Sequence, residues 1–388
     1  MGRRRAAIVG AGHTRFGILP ETPRELLRAA VDAAFESVDR GMPRTDVQEA
    51  WVGTLGFSGW QIGNVSAVVA EEGRLVGTPV TRVENACASA GFALRSAALG
   101  IMSGERDAAL VVGLEKMNDA PSPRRRYWLG VSGDTEWERA SGLTFAGVYG
   151  LLASRYLYDY HAPPEALAEV AVKNHANGAL NPNAQFQKPV SRERVLAAPR
   201  VADPLGLLDC CPVTDGAAAL LLVGEDLARK YTDTPVFIAG LGAGSDTLAV
   251  QDRTSLTSLA ATRSAADQAF LRAGFGRREV DFLEVHDCFT IAELLALEDL
   301  GYAAPGSAGA LTLSGATRIG GELPVNPDGG LKAKGHPIGA TGASQAYEAF
   351  VQLRGAAGAR QVAGAERALT HNVGGSGASA TVTLFATA

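Results

Sequence analysis

The sequence predicts an α/β protein built from two similar halves, with an irregular segment inserted into the first half. Strand and helix patterns alternate over 6–113, and the same order of elements returns over 235–388. Between these segments, 115–208 breaks the alternation with prolines, a run of arginines and many aromatic residues. A chain of 388 residues is also too long for one simple core, which favours several structural units.

The elements of the first segment follow from short hydrophobic patterns and their end signals. The apolar run 107–113 is typical of a strand covered on both faces, and Thr22-Pro23 has the cap and first-turn residues of a helix. Small and apolar residues from Cys87 to Met102 predict another helix. The predicted strands are 6–10, 49–54, 78–83 and 107–113, and the predicted helices are 23–40, 64–72 and 87–102.

The remaining segments repeat this plan after the insertion. The glycine-rich start of the last segment, 236–244, resembles 7–12, and the final strand resembles 214–224. We therefore expect an N-terminal half of 1–114 plus 209–232, a loop domain of 115–208 and a C-terminal half of 233–388. Two such halves would place their glycine-rich turns around a shared cleft. The predicted helices here are 164–178, 264–272, 290–300 and 340–353, and the predicted strands are 214–224, 236–244, 281–285, 367–374 and 380–385.

Composition and charge exclude several classes of function. A net charge of −5 at pH 7 provides no global positive field for nucleic acid or an anionic membrane. No apolar run reaches transmembrane length. The cysteines have no spacing typical of a zinc site or a disulfide framework, so we expect no metal and free thiols in a reducing cytoplasm. They are Cys87, Cys210, Cys211 and Cys288.

A glycine pair after the first strand imitates part of a nucleotide-binding fingerprint. Gly10 and Gly12 have the spacing of the first two glycines of the dinucleotide motif, but Arg15 stands where the third belongs. No acidic partner for a ribose is evident downstream. We therefore expect no bound NAD.

Cys87 lies between a predicted strand and a predicted helix, and the other candidate residues are judged relative to it. In the first turn of a helix, backbone N–H groups and the positive end of the helix dipole point at the sulfur. This setting favours the thiolate and a nucleophilic role. The alternative is a small buried cysteine at a helix start, since free cysteine is among the most buried residue types.

Three further turns carry groups that suit chemistry with a cysteine nucleophile. His336 lies in the glycine-rich turn 335–342, where a neutral imidazole can accept a thiol proton and later donate to an oxyanion. His286 and Cys288 follow a predicted strand, and a second thiol suits proton transfer at carbon. The glycine pair 374–375 offers backbone N–H groups to an oxyanion.

Each of these turns also has a purely structural alternative. His336 can simply occupy a rigid turn, and Asp287 can cap a helix while Cys288 is buried. The glycines 374–375 can form an ordinary turn. Cys210 and Cys211 are adjacent, so a disulfide between them would be strained, and we expect them to pack beside the Asp215-Gly216 turn.

Taken together, Asn85–Ser89, His286–Phe289 and Gly335–Gly342 resemble the three motifs of the thiolase superfamily. The resemblance runs essentially end to end and is closest to the sterol-carrier-protein-type thiolases and the archaeal acetoacetyl-CoA thiolases. Many biosynthetic thiolases carry an acid/base thiol in a Cys-x-Gly motif, which reads Asn372-Val-Gly374 here; the favoured branch uses the thiol of His-Asp-Cys-Phe, Cys288 here. The resemblance implies a five-layer α-β-α-β-α fold with a loop domain over the active site, and a homodimer or tetramer.

The resemblance also implies a reaction and residue roles. Cys87 would attack a thioester or a 3-ketoacyl-CoA with help from His336, and the acyl oxyanion would lie on the N–H groups of Cys87 and Gly374. Cys288 would move the proton on the carbon nucleophile, while His286 and His336 hold the enolate oxygen. The acyl group would pass to coenzyme A or to an acetyl-CoA carbanion. Coenzyme A is thus a substrate, and no tightly bound cofactor is expected.

Two other interpretations stay open on the sequence alone. Some relatives act with a separate OB-fold/zinc-ribbon protein, either as retro-aldol lyases of steroid side chains or as acyltransferases on phenolic compounds. Cys87 and Cys288 argue against the lyases but not against a C-acyltransferase with an unusual acceptor. An inactive scaffold would have lost Cys87 or His336, and neither is lost.

Overall fold

The computed structural model describes residues 4–388, and both halves of this chain are α/β. The strands are β1 (Ala6–His13), β2 (Glu49–Gly53), β3 (Val80–Val83), β4 (Ala108–Glu115), β5 (Arg200–Ala202), β6 (Leu205–Gly206), β7 (Gly216–Gly224), β8 (Val236–Ser245), β9 (Phe282–Glu284), β10 (Arg367–Gly374) and β11 (Ser379–Ala386). The helices are α1 (Pro23–Glu36), α2 (Val65–Glu72), α3 (Ser89–Met102), α4 (Ser122–Gly130), α5 (Phe145–Tyr160), α6 (Glu165–Gly178), α7 (Arg192–Leu196), α8 (Glu225–Tyr231), α9 (Ala260–Ala273), α10 (Thr290–Asp299), α11 (Ala308–Leu313), α12 (Gly330–Ala333) and α13 (Thr341–Leu353).

The two halves share one strand arrangement, which confirms the predicted repeat. A 9-stranded sheet has the order β3-β2-β4-β7-β1-β8-β11-β10-β9. Antiparallel pairing of β1 with β8 joins the halves. Moving outward from this junction, each side has two antiparallel pairings followed by a parallel one: β1–β7, β7–β4 and β4–β2 on one side, and β8–β11, β11–β10 and β10–β9 on the other.

Helices cover both outer faces of the strands and also lie between the two half-sheets. α1 packs on β1 and β7, and α9 packs on β8 and β11. α3 and α13 contact each other as well as strands of the sheet, and their apolar side chains form one buried cluster. This central layer completes the five-layer arrangement. It matters for function because Cys87 immediately precedes α3 and His336 precedes α13.

The glycines that imitate a nucleotide motif serve helix packing instead. A Cβ atom on Gly12 would lie 2.1 Å from the carbonyl oxygen of Ala30 in α1. In the second half, a Cβ atom on Gly242 would lie 1.7 Å from the carbonyl oxygen of Ala265 in α9. Only glycine permits such close contact between strand and helix. The repeated glycines therefore reflect the repeated fold.

The segment predicted as a loop domain contains more helix than expected. α5 is 16 residues long and was missed, because glycines and clustered aromatics obscure its helical pattern. Thr144 caps it by accepting a hydrogen bond from the Gly147 N–H. Its buried side chains, including Tyr149 and Tyr156, pack into the core of the C-terminal half, so tertiary contacts stabilise this helix.

Several predicted helix ends also shift. The helix predicted from Thr22-Pro23 is confirmed, with a capping box formed by Thr22 and Glu25, but it stops at Glu36 rather than residue 40.

We propose the predicted domain boundaries unchanged: an N-terminal half of 1–114 plus 209–232, a loop domain of 115–208 and a C-terminal half of 233–388. Residues 1–3 lie outside the part of the chain that the structure describes. The position of β7 between β4 and β1 supports this division. Among residues 4–388, no helix combines the length and apolarity needed to cross a membrane.

Candidate active site

Cys87 occupies a tight turn between β3 and α3. Ala86 has a φ of +49°, in the left-handed region that is uncommon for residues other than glycine. Two hydrogen bonds hold the turn: the Ala86 N–H donates to Glu84 Oε1 at 2.6 Å, and the Asn85 N–H donates to Ser89 Oγ at 3.0 Å. The helix begins at Ser89, so the prediction that Cys87 lies inside its first turn is wrong. Cys87 lies just before the helix.

The structure brings together residues from both halves at this turn. One Sγ or ring nitrogen from each of Cys87, His286 and His336 lies within 4.8 Å of the others. The two imidazole rings are 5.1 Å apart between centroids and nearly perpendicular, at 86°. Thiol and imidazole ligands also suit a soft metal ion such as Zn²⁺, so the expectation that no metal binds here stays a prediction.

His336 is held as a neutral imidazole with a free basic nitrogen. Its Nδ1 lies 2.7 Å from Thr341 Oγ1, and this hydroxyl donates its own proton to the carbonyl of Pro337 at 3.1 Å. The Thr341 oxygen must therefore accept from Nδ1–H, which leaves the lone pair on Nε2. Burial, followed by the charge of Lys334, lowers the pKa of His336 to about 3.

His286 is held in the opposite tautomer. The amide Nδ2 of Asn372 donates to the Cys87 carbonyl at 3.0 Å and to Nδ1 of His286 at 3.2 Å. An amide N–H₂ group only donates, so Nδ1 is the acceptor and Nε2 carries the proton. That Nε2 is buried and has no hydrogen-bond partner among the described residues. Burial holds the pKa of His286 well below its ordinary value. His286 is thus a neutral donor.

Asp287 ties the His286 turn to the His336 turn. Its carboxylate accepts hydrogen bonds from the backbone N–H groups of Leu331 at 2.7 Å and Lys332 at 3.2 Å, in α12. The alternative in which Asp287 caps its own helix is wrong, because the carboxylate caps α12 instead. Burial, and then the neighbouring Glu293, raise the pKa of Asp287 to about 7.

An apolar cavity of about 150 Å³ lies over these groups. The thiols of Cys87, Cys211 and Cys288 all line it. The prediction that Cys211 packs beside the Asp215-Gly216 turn therefore leaves out its contact with the cavity. The backbone N–H of Cys211 donates to the Cys288 carbonyl at 3.0 Å, and this hydrogen bond holds Cys211 at the cavity wall. The other lining residues are Met117, Leu129, Ser132, Phe145, Tyr149, Pro212, Val213, Phe289, His336, Ile338 and Gly375.

The resting state of Cys87 differs from the sequence-based prediction. Burial, followed by the nearby Cys211, raises the pKa of Cys87 to about 12. Backbone hydrogen bonds from Gly375 and from Cys87 itself oppose this effect but do not overcome it. The prediction of a resting thiolate is wrong, because desolvation outweighs the helix start. Cys87 is a thiol at neutral pH and needs a base when it reacts.

The same contacts bear on the predicted oxyanion site. Gly375 lines the cavity together with Cys87, and its N–H lowers the pKa of that thiol. Gly374 lies one residue earlier, where an added Cβ atom would be 2.5 Å from the carbonyl oxygen of Asn85. Gly375 therefore joins the candidate donors, and the role assigned to Gly374 stays a prediction.

The sequence assigned no catalytic or positioning role to three residues of the site. Thr341 lies inside the third motif and orients His336. Asn372 stands where many biosynthetic thiolases have the cysteine of Cys-x-Gly, and this departure was the available signal. Tyr149 is one of the clustered aromatics of the loop segment, which by sequence could either line an apolar pocket or pack that segment; it reaches the cavity from α5, a helix that was not predicted.

Comparisons with known proteins agree with this architecture. Residues 6–226 match the family described as "Thiolase, N-terminal domain", and residues 242–387 match "Thiolase C-terminal domain-like". The acetyl-CoA acetyltransferase of Methanothermobacter thermautotrophicus is 44% identical over 98% of this chain and 99% of that protein. Sterol carrier protein 2 of Gallus gallus is 34% identical over 99% of this chain and 72% of that protein.

Solved structures show the same fold over nearly the full length. The "Ltp2-ChsH2(DUF35) aldolase" superposes with a TM-score of 0.85 at 26% identity and covers 98% of each chain. Human mitochondrial 3-ketoacyl-CoA thiolase superposes with a TM-score of 0.75 at 18% identity and covers 99% of each chain, which supports the fold alone. On the family matches and the full-length identity, this chain belongs to the thiolase family and is an acyltransferase of the thiolase type.

Proposed function

We propose that this protein forms or cleaves the carbon–carbon bond of a 3-ketoacyl-CoA through an acyl group carried on Cys87. One observation carries the proposal: the Cys87 sulfur lies within 4.8 Å of a ring nitrogen of each of two neutral imidazoles, His336 with a free Nε2 and His286 with an Nε2–H. A base and a hydrogen-bond donor therefore face one nucleophile. The acetyl-CoA acetyltransferase relative supports acetyl-CoA as a donor.

In the first half reaction, Cys87 takes the acyl group. Its sulfur forms a bond to the thioester carbon while His336 Nε2 accepts the thiol proton. The carbonyl electrons move to oxygen, where the N–H groups of Cys87 and residues 374–375 are the proposed donors. The tetrahedral intermediate collapses, the bond to the coenzyme A sulfur breaks, and His336 returns the proton to that sulfur.

In the second half reaction, a carbon nucleophile removes the acyl group. Cys288, as a thiolate, takes a proton from the α-carbon of acetyl-CoA, and the released electron pair forms the enolate. Nε2–H of His286 donates to the enolate oxygen. The α-carbon then attacks the acyl carbon, and the bond to the Cys87 sulfur breaks. The Cys87 thiolate that leaves takes the proton held by Cys288, which restores the Cys87 thiol and the Cys288 thiolate. The reverse sequence is thiolysis of a 3-ketoacyl-CoA.

The first test is mass spectrometry of the intact protein and its peptides after incubation with acetyl-CoA. We expect one acetyl group on the peptide that contains Cys87. Cys87→Ser should abolish both the adduct and turnover, while thermal unfolding stays close to that of the parent protein. Cys288→Ala should keep the adduct but block carbon–carbon bond formation.

Two results would contradict the proposal in different ways. An absent adduct on folded protein would exclude acetyl-CoA as the donor. Normal condensation by Cys288→Ala would remove Cys288 from the carbon step.

Partners and location are also proposals. The solved Ltp2–ChsH2(DUF35) aldolase supports testing a separate partner protein, as does the sequence-based alternative of an OB-fold/zinc-ribbon subunit. We retain the homodimer or tetramer and the cytoplasmic location as predictions. Cys87 and Cys288 both line the cavity, and this favours acyl transfer over the lyase alternative.

A further inference from the structure

We propose that Tyr149 is a positioning residue for Cys288, with a hydroxyl that alternates between the Gly375 carbonyl and the Cys288 sulfur as Cys288 gains and loses its proton. The inference rests on the proposed function, because it assigns Tyr149 to the proton-transfer step at carbon. It adds a residue from the loop domain to the site. Neither the three motifs nor the helix pattern of the sequence indicated it.

Tyr149 is fixed at the cavity on several sides. It projects from α5, is only 1% exposed, and lines the cavity together with Cys87 and Cys288. Its ring stacks on Phe289, the residue after Cys288, with centroids 4.6 Å apart and an interplanar angle of 23°. Its hydroxyl donates to the Gly375 carbonyl at 3.3 Å, and the phenol lies beside the Cys288 thiol, whose pKa the hydroxyl lowers.

Cys288 needs such a donor if it is to act as a base. Burial in the apolar cavity raises the pKa of this thiol, and the nearby Cys87 and Asp287 raise it further. Hydrogen bonds from the Tyr149 hydroxyl and from the Phe289 N–H act in the opposite direction. Tyr149 is thus a side-chain donor that lowers the pKa of Cys288, beside the backbone donor Phe289.

The charged and titratable groups around the pair leave Tyr149 as a donor. Burial raises the pKa of Tyr149 well above its ordinary value, so the phenol keeps its proton. Around the pair lie Cys87 from the turn before α3, Cys211 from the loop before β7, His336 from the turn before α13, Asp287 beside Cys288, and Arg253 near the phenol. Arg253, a cation near Tyr149, hydrogen-bonds to Ser376.

The hydroxyl has two acceptors, and the protonation state of Cys288 selects between them. When Cys288 is a thiol, Tyr149 O–H donates to the Gly375 carbonyl, as seen here. When Cys288 is a thiolate, the same O–H is the nearby donor that stabilises the negative sulfur. As the thiolate takes the α-proton, an S–H bond forms, the C–H electrons move into the enolate, and the hydroxyl returns to Gly375.

The test compares Tyr149→Phe with the parent protein in two half reactions. Deuterium uptake into the methyl group of acetyl-CoA in D₂O reports the Cys288 step, and mass spectrometry reports acetylation of Cys87. Tyr149→Phe keeps the ring stacked on Phe289, so acetylation should change less than about 2-fold, whereas exchange should slow about 10- to 100-fold. The pH profile of exchange should move to higher pH, because the thiolate loses a donor.

Tyr156→Phe is the matched control. Tyr156 lies on the same helix and is buried, but its hydroxyl donates to Glu298 at 2.5 Å, outside the cavity. The Tyr156→Phe variant should exchange the methyl protons of acetyl-CoA and acetylate Cys87 at the rates of the parent protein. If Tyr149→Phe does not fold, 3-fluorotyrosine incorporated at position 149 strengthens the donor and should move the exchange profile to lower pH.

Different failures have different meanings. Two results with folded Tyr149→Phe would overturn the role of Tyr149: deuterium exchange at the parental rate, or an equal loss of acetylation and exchange. A pH profile of exchange that does not move with 3-fluorotyrosine would also overturn it. If the parent protein neither acetylates Cys87 nor exchanges the methyl protons, the proposed function itself fails.

Discussion

His336 and His286 are held in opposite tautomers, each by one neighbouring side chain. The Thr341 hydroxyl accepts from Nδ1–H of His336, which leaves Nε2 basic. The Asn372 amide donates to Nδ1 of His286, which leaves Nε2–H as a donor. The contact at one ring nitrogen thus decides whether the other nitrogen is a free base or a hydrogen-bond donor, as the proposed mechanism requires of His336 and His286.

Thr341→Val tests this assignment for His336. Valine keeps the shape of threonine but removes the acceptor for Nδ1–H, so both tautomers become accessible and the basic Nε2 is populated less. We expect acetylation of Cys87 to slow about 10-fold. Thr341→Ser keeps the hydroxyl and should restore most of the rate. Equal rates for the valine variant and the parent would mean that another contact sets the tautomer. Single-turnover acetylation measures this.

Cys87 should respond to pH as a buried thiol. Because its pKa is raised to about 12, raising the pH increases the small thiolate fraction over the whole accessible range. The rate of alkylation of Cys87 by iodoacetamide should therefore keep rising from about pH 7 to pH 10. Cys87→Ser gives the background from the other thiols. A plateau at neutral pH would instead indicate a resting thiolate paired with a protonated imidazole.

At the scale of elements, two glycines let the central helices approach each other. A Cβ atom on Gly342 in α13 would lie 2.3 Å from the backbone nitrogen of Gly91 in α3. The crossing lies near the start of both helices, and the preceding turns carry Cys87 and His336. The glycine that ends the third motif therefore sets how closely the turns that carry Cys87 and His336 approach each other.

Gly342→Ala should separate the two helices. The added methyl group meets backbone atoms that cannot rotate away, so we expect a lower melting temperature and slower acetylation of Cys87, by about 10-fold or more. Gly100→Ala is the matched control in α3, since its nearest neighbour would be the Trp51 ring at 3.6 Å. That variant should be neutral or slightly stabilised. Parental acetylation by Gly342→Ala would show that the helices adjust without moving His336.

At the scale of the whole molecule, burial of carboxyl groups makes stability depend on pH. Asp299, at the end of α10, accepts from Ser258 Oγ at 2.6 Å and from the Leu259 N–H at 2.7 Å. Burial raises its pKa to about 6. A carboxyl group whose pKa is higher in the folded state than in the unfolded state makes its full contribution to folding stability at pH values below the unfolded-state pKa. That contribution is lost as the pH rises through the folded value.

Asp299→Asn should reduce this loss. The asparagine can accept from Leu259 N–H and donate to Ser258 Oγ, but it does not titrate. We expect its melting temperature to match the parent near pH 4 and to exceed it by about 2–4 °C at pH 8. Thermal unfolding followed by circular dichroism at both pH values measures this difference. A parallel pH dependence in both proteins would mean that folding does not raise the pKa of Asp299.

Much of the fold and the candidate residues followed from the sequence alone. Alternating strand and helix patterns predicted two halves, and Thr22-Pro23 predicted the start of α1, because these signals are local. Cys87, His286, Cys288 and His336 were identified from glycine-rich or cysteine-bearing turns at element ends. The thiolase resemblance placed them in one site, and the structure brings them together.

The tertiary structure alone decided how those groups behave. Desolvation in a shared cavity makes Cys87 a thiol, although its local position favours the thiolate. The tautomer of His286 depends on Asn372, 86 residues away along the chain. Tyr149 reaches Cys288 from α5, a helix stabilised by burial against the C-terminal half rather than by its own pattern. Residue types and local turns are encoded in short stretches, whereas pKa values and proton positions depend on neighbours that only folding brings into contact.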